Sequence, residues 1–119
     1  MISNDKATGF ARDWIESFNS HQPDAIMMHY AENVEFHSPF IPLLQFNEAG
    51  VIHGKEELRR YFEIGLHAYP DLHFRLQHIF TGINSIVICY TSVQEKQAAE
   101  TFHLDKDGKA VRVYCHYSP

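Results

Sequence analysis

Apolar residues with helical spacing characterise the first half of the chain. Phe10, Trp14 and Phe18 recur every fourth residue, which is typical of the buried face of an α-helix. A second, short helix is predicted near residues 24–32 and a third over residues 55–68, where apolar side chains again share one face.

The period changes from 3.6 to 2 after residue 71, which indicates β-strands. Alternation predicts strands over residues 34–38, 72–80, 85–93, 97–104 and 110–117. In the second of these, one predicted inner face carries Leu72, Phe74, Leu76, His78 and Phe80. The order ααβαββββ predicts an α+β fold, with three helices packed on one face of a curved, largely antiparallel sheet.

Residues 39–54 are predicted to form a long connection, because two prolines and two glycines interrupt any regular period. Seven of its residues are large and apolar, too many for a solvated loop. We expect the segment either to cover a pocket mouth or to contact a partner subunit.

Composition narrows the class of protein. A chain of 119 residues, 45% hydrophobic, fits a single domain spanning residues 1–119. The net charge of −5 and the lack of a lysine/arginine cluster larger than Arg59-Arg60 argue against nucleic-acid binding. No apolar run approaches membrane-span length and the first residues lack signal-peptide order, so no membrane association is expected. Two cysteines do not form a disulfide framework, which favours a reduced, cytoplasmic location.

Three motifs in order resemble the NTF2-like superfamily, and specifically its SnoaL-like branch, which includes relatives of polyketide cyclases and ketosteroid isomerase. They are the sequences of residues 31–39 (AENVEFHSP), 53–58 (HGKEEL) and 102–109 (FHLDKDGK). The resemblance covers nearly the whole chain. It implies a cone-shaped sheet wrapped around the helices, with an apolar pocket at the open end. It does not fix the chemistry, because the family includes enzymes, ligand binders and assembly modules.

The resemblance also assigns three positions. Ser38 stands where isomerase-like relatives carry a general-base aspartate, and a serine hydroxyl is not a base at neutral pH. Trp14 stands where they carry a tyrosine that donates to an oxyanion; an indole N–H still donates one hydrogen bond. Glu100 aligns with the family's third acidic position.

Alternation independently favours Glu100 as an acid–base residue. It shares a strand face with Phe102 and Leu104, and a carboxyl on an apolar face has a raised pKa. Alternatively, Glu100 lies at a frayed strand start, solvated or paired with Arg112.

His78 is the second catalytic candidate, because its predicted phase places it on the inner face. The alternative is a core histidine satisfied by one hydrogen bond. The remaining pocket candidates are Trp14, Tyr30, Ser38, Phe62, Phe102, Tyr117 and His53. The aromatic members fit an ordinary core equally well, Tyr117 a rim position, and His53 a surface loop.

Nine histidines raise the question of a metal site. None of them has His-x-His, His-x-x-x-His or His-Glu-x-x-His spacing, so no metal is expected. The acidic turn at residues 105–108 lacks the glutamate of a calcium loop and is explained by a hairpin.

The sequence therefore predicts a pocket protein that binds a small apolar or aromatic ligand. If it is an enzyme, we expect cofactor-free isomerisation or cyclisation by proton transfer next to a carbonyl. The alternative is a non-catalytic ligand-binding or dimeric assembly module. A homodimer is expected through the outer sheet face, which is predicted to carry His73, Arg75, Gln77, Tyr114 and His116.

Overall fold

Four helices and six strands make up the computed structural model, which describes residues 1–119. The helices are α1 (Asn4–Asn19), α2 (Pro23–Met27), α3 (Phe40–Leu43) and α4 (Lys55–Ala68). The strands are β1 (Tyr30–His37), β2 (Val51–His53), β3 (Arg75–Thr81), β4 (Ser85–Thr91), β5 (Gln97–Leu104) and β6 (Ala110–Tyr117). A 3-10 turn, Val93–Glu95, joins β4 to β5.

All six strands form one sheet in the order β2-β1-β6-β5-β4-β3. Only the β1–β6 pair is parallel, and the other neighbours are antiparallel. The sheet curves around the helices without closing. The predicted α+β class, with a curved and mostly antiparallel sheet, is therefore confirmed.

Several element boundaries differ from the sequence prediction. Strand β3 begins at Arg75 instead of residue 72, β4 ends at Thr91 instead of residue 93, and α2 ends at Met27 instead of residue 32. Strand β1 begins at Tyr30, which the helical spacing had assigned to the second helix, and its pairing with β6 is irregular between Tyr30 and Glu35. The predicted connection 39–54 contains α3 and β2. Strand β2 pairs with the end of β1, so this segment returns to the sheet edge.

A bulge in β3 reverses the predicted faces of its second half. Leu76 pairs with Tyr90 and His78 with Cys89, so one residue is inserted between them. Such an insertion turns every following side chain to the other face. The predicted inward position of Phe80 is therefore wrong, since 57% of this side chain is exposed, and Ile79 replaces it in the core packing.

The concave face of the sheet holds the core. Trp14 on α1 packs edge-to-face against Phe102 on β5 and Tyr90 on β4, with ring centroids 5.3 and 5.1 Å apart. The Ser3 hydroxyl caps the start of α1 by accepting from the backbone N–H of Lys6. None of the helices has the length and apolarity needed to cross a membrane.

Candidate active site

An apolar pocket lies between the concave sheet face and helices α1 and α4. Its cavity volume is about 70 Å³. The lining residues are Trp14, Phe18, Phe36, Phe40, Leu44, Tyr61, Phe62, Gly65, Leu66, Tyr69, Leu72, Phe74, Tyr90, Ser92, Val93, Glu100 and Tyr117. Glu100 is the one charged residue among them, so any acid–base chemistry in this pocket centres on its carboxyl.

Glu100 lies in the middle of β5, paired with Ile88 on β4 and Cys115 on β6. Only 3% of the residue is exposed. The Tyr90 hydroxyl donates to its Oε1 atom across 2.7 Å. The Cys115 thiol also hydrogen-bonds the carboxyl. Glu100 lines the pocket, so its side chain borders the cavity.

Burial raises the pKa of Glu100 to about 7, because desolvation penalises the carboxylate. Hydrogen bonding from Tyr90 and from the Cys115 thiol opposes this effect and keeps the pKa from rising further. Near neutral pH the group therefore exists in both protonation states. A carboxyl with that property can take a proton and return it at one pH.

Phenol hydroxyls from two other elements flank the carboxyl. Tyr61 comes from α4 and Tyr117 from the end of β6, and both line the pocket. Burial raises the pKa of each phenol, so both stay protonated at neutral pH and remain donors. A hydrogen bond with the Ser38 hydroxyl partly offsets the rise in the pKa of both phenols.

The structure brings four of the predicted site residues to the pocket wall, namely Glu100, Trp14, Phe62 and Tyr117. The indole N–H of Trp14 is already used, because it donates to the Tyr30 hydroxyl across 2.9 Å. Trp14 therefore contributes shape rather than a free donor.

Three other predicted residues are buried without lining the cavity. Tyr30 accepts from Trp14 within the core, and Phe102 is fully buried against Trp14. Ser38 lies behind the wall, where its Oγ accepts from the backbone N–H of Phe40 across 3.2 Å. Their predicted place in the lining is corrected to that of supporting residues.

The two predicted histidines lie outside the pocket. The bulge in β3 places His78 on the outer face of the sheet, where its side chain is exposed. His53 has 74% of its side chain exposed, and its Nδ1 lies 3.8 Å from Glu35. The expectation that His78 faces the site is wrong, because alternation cannot reveal a bulge. For His53 the structure agrees with the alternative, an exposed surface position.

Sequence reasoning missed three groups around Glu100: Tyr61, Tyr90 and Cys115. Tyr61 directly precedes Phe62 on α4, and both are buried. The sequence therefore offered only its position beside a predicted pocket residue as a signal. Tyr90 alternates with Ile86 and Ile88 on β4, which marked it as inward-facing. That it reaches Glu100 depends on the β4–β5 register, which the sequence does not show.

The structure also gives the surroundings of Arg112, the possible metal ligands and the cysteines. Glu100 does not pair with Arg112, which points to Glu35 on the opposite face. No group of three histidine, cysteine, aspartate or glutamate side chains converges in a way that could hold a metal ion. Both cysteines are free thiols.

The chain was then compared with known proteins. The family model of the SnoaL-like domain matches residues 11–115. A SnoaL-like protein of unknown function from Burkholderia thailandensis is 34% identical, with both chains fully covered and a TM-score of 0.94. No curated protein matches the sequence.

More distant structures share the fold. SalBIII, an epoxide hydrolase/cyclase-like enzyme with a role in pyran ring formation in salinomycin, is 17% identical, with a TM-score of 0.75 over 99% of this chain and 95% of its own. An NTF2-like protein of unknown function from Cytophaga hutchinsonii is 17% identical, with a TM-score of 0.73 over 100% of this chain and 93% of its own.

Proposed function

Because the chain belongs to the SnoaL-like family, we propose that it is a cofactor-free isomerase or cyclase that moves a proton at a carbon next to a carbonyl. One observation carries this proposal: a glutamate, Glu100, is buried in the wall of an apolar pocket, and burial raises its pKa to about 7. The cyclase-like activity of SalBIII, a neighbour in fold only, is compatible with this class of reaction.

Each residue of the site has a role in the proposed reaction. The Glu100 carboxylate takes a proton from the carbon next to the carbonyl, leaving an enolate. Hydroxyls of Tyr61 and Tyr117 donate to the enolate oxygen, where the negative charge develops. When the substrate is a β,γ-unsaturated ketone the intermediate is a dienolate, and protonated Glu100 returns the same proton to the γ carbon, which moves the double bond into conjugation with the carbonyl. In a cyclisation the enolate carbon instead attacks an electrophilic carbon of the substrate, and Glu100 protonates the oxygen released there.

The cavity volume limits the substrate. At about 70 Å³ it is roughly half the size of an engineered protein cavity of about 150 Å³ that binds benzene. A fused-ring, steroid-sized substrate does not fit without displacement of several aromatic side chains. The serine at position 38, where steroid isomerases of the family carry their base, supports the same conclusion.

Deuterium exchange tests the proposal without a known substrate. Acetone, 2-butanone and 3-pentanone, which are small and narrow, are incubated with the protein in D₂O, and loss of the protons next to the carbonyl is followed by NMR. We expect exchange above the buffer rate for at least one ketone, and a decrease of about 10²–10⁴-fold in Glu100→Gln. Glu35→Gln, on the outer sheet face, is the matched control and should retain the rate. Equal rates in Glu100→Gln and the unmodified protein would contradict the proposal.

A second candidate function, a non-catalytic ligand-binding or dimeric assembly module, is favoured by the small size of the cavity. Aromatic rings already fill much of the space: Phe18 packs edge-to-face on Phe62, and Phe40 on Tyr117, with centroids 5.1 and 4.7 Å apart. Ligand binding without any exchange activity, in a protein that keeps Glu100, would select this function.

We also propose that two copies pair through the outer sheet face. That face presents a mixed aromatic and polar surface, in which Tyr114 stacks on His37 with ring centroids 4.6 Å apart and Phe80 is exposed. His73 is not part of it, since it precedes β3 at the pocket mouth. Light scattering should give the mass of a dimer, and Tyr114→Glu should give that of a monomer; a monomeric unmodified protein would contradict the pairing.

A further inference from the structure

A second cavity adjoins the mouth of the pocket, and we call it the outer chamber. Its volume is about 380 Å³. It is lined by Ala68, Tyr69, Pro70, Asp71, Leu72, His73, Arg75, Ser92, Val93, Gln94 and Glu95. Four of these residues, namely Tyr69, Leu72, Ser92 and Val93, also line the pocket, so the two cavities share a rim.

The two cavities differ in chemistry. The pocket is mostly apolar, whereas the chamber carries polar and charged side chains: Asp71, His73, Arg75, Gln94 and Glu95. Arg75 is the single permanent cation facing two carboxylates, so the chamber has a net negative charge at neutral pH. The guanidinium is also already engaged, with Nη2 donating to Glu95 Oε2 across 2.8 Å and Nη1 to Oε1 across 3.5 Å.

Specific contacts hold both walls of the chamber. On one side, the Asn19 amide bonds both the N–H and the C=O of Phe74, at 2.7 and 2.9 Å, and the His21 ring bonds the C=O of Leu72 at 2.7 Å. On the other side, Gln94 and Glu95 adopt left-handed backbone conformations, with φ of 57° and 59°. Two consecutive non-glycine residues in this conformation are costly, so the turn is maintained by its surroundings.

From this arrangement we propose that the ligand is amphipathic and uncharged. Its narrow apolar part enters the pocket towards Glu100, and its hydrogen-bonding tail, such as an amide or hydroxyl, lies in the outer chamber. The side chains of His73 and Gln94 are exposed there and make no hydrogen bond within the protein, so both are free to bind such a tail. This inference rests on the proposed function in so far as the pocket receives a ligand, but it does not require catalysis.

The negative charge of the outer chamber is the reason to expect an uncharged tail on the ligand. A carboxylate in the chamber would face Asp71 and Glu95, and the guanidinium of Arg75 would have to leave Glu95 to compensate. The inner end of the ligand meets another carboxyl, Glu100, which is partly ionised at neutral pH. Neither end of the double cavity therefore favours an anion.

The single tryptophan provides a direct readout of binding, because Trp14 is buried and lines the pocket. Two probes of equal length, hexanamide and hexanoate, are titrated at pH 8 while the fluorescence of Trp14 is recorded. We expect hexanamide to bind at least about fivefold more tightly, the scale of a repulsion of about 1 kcal/mol.

Chamber variants locate the tail. The double variant Asp71→Asn/Glu95→Gln should remove most of the discrimination against hexanoate, whereas Gln94→Ala should weaken hexanamide about two- to fivefold. All three residues are exposed, so these changes leave the core packing intact. Lys106→Gln, in the distant β5–β6 turn, is the matched control and should change neither affinity.

Three results would overturn the inference. They are equal affinity for the two probes, relief of the discrimination by Glu100→Gln instead of the chamber variant, and no response of Trp14 to either probe. Loss of exchange activity in Glu100→Gln would still be measurable in the first two cases. Failure of the amphipathic ligand is therefore distinguishable from failure of the proposed reaction.

Discussion

Two glutamates on the same sheet have opposite surroundings. Glu100 faces the concave side, where it is buried, accepts one hydrogen bond from Tyr90, and has a pKa raised to about 7 by burial. Glu35 faces the convex side, where its Oε2 accepts from His37 at 2.8 Å and lies 4.0 Å from Arg112. The hydrogen bond from His37 lowers the pKa of Glu35 below its ordinary value.

The two side chains are chemically identical, so the difference between them comes from their surroundings. Strand alternation alone decides which face each glutamate occupies, and the face decides whether water or hydrocarbon surrounds it. On the solvent-exposed face, contacts with His37 and Arg112 lower the pKa of Glu35 and favour its ionised form. On the dry face, Glu100 has no cation to neutralise it, so it can change protonation state near neutral pH.

After Glu100→Gln itself, the largest effect expected in this comparison comes from the phenol donors. Tyr61→Phe combined with Tyr117→Phe should lower the deuterium-exchange rate by about 10²–10³-fold, because the enolate oxygen loses both donors. Tyr114→Phe, on the outer face beside Glu35, is the matched control and should keep the rate. Retention of full activity in the double variant would remove the phenols from the mechanism.

The next effect is on stability and depends on pH. The pKa of Glu100 lies above its ordinary value of 4.5, so the folded state retains a proton that the unfolded state releases as pH rises through this interval. Stability is therefore lost between about pH 4.5 and 7. Glu100→Gln removes this loss and should raise the free energy of unfolding at pH 8 by about 3 kcal/mol, with a much smaller change at pH 4.5.

Glu35→Gln should change the stability of the protein in the opposite direction. The pKa of Glu35 is lowered, so its contribution to stability is present above the unfolded pKa and is lost as pH falls through the folded one. The variant should be slightly less stable than the unmodified protein at pH 8. Urea denaturation at pH 4.5 and 8 measures both variants, and a stability gain in Glu100→Gln that is equal at the two pH values would contradict the assignment.

A smaller effect is expected from Tyr90→Phe. Its hydroxyl stabilises the carboxylate, so removal should raise the pKa of Glu100 further and move the rising limb of the exchange rate to higher pH by on the order of one unit. Because the ring remains, packing against Trp14 and Phe74 is preserved. An unchanged pH profile would show that Tyr90 does not tune Glu100.

The smallest effect is expected on the solvent-exposed face. His37→Gln removes the main partner of Glu35 and should raise the pKa of that carboxyl towards its ordinary value, without altering exchange. Carboxyl ¹³C shifts measure the change directly. A lower deuterium-exchange rate in His37→Gln would mean that the outer face influences Glu100, which none of the observed contacts explains.

Sequence reasoning succeeded where local pattern and tertiary structure agreed. The residues of α4, β5 and β6 match their predicted spans, and alternation alone placed Glu100 on the inner face. It failed where tertiary pairing overrides the pattern. Tyr30 satisfied a helical spacing yet begins β1, because its hydroxyl bonds Trp14 and its backbone pairs with Ala110.

The site was only partly predictable for the same reason. A one-residue bulge, invisible to a period-2 reading, moved His78 to the outer face. The contact between Tyr90 and Glu100 joins residues on neighbouring strands, and the register of those strands sets it. The narrow cavity follows from how aromatic rings pack, which composition does not reveal.

Two carboxyls on one sheet, Glu100 and Glu35, are expected to titrate on opposite sides of their ordinary value, with Glu100 near neutral pH. Carboxyl ¹³C shifts of a glutamate-labelled sample, recorded from pH 3 to 9, test this central claim most directly, with Glu100→Gln identifying the resonance. The account predicts a midpoint near 7 for Glu100 and one below 4.5 for Glu35. A midpoint near 4.5 for Glu100 would contradict it.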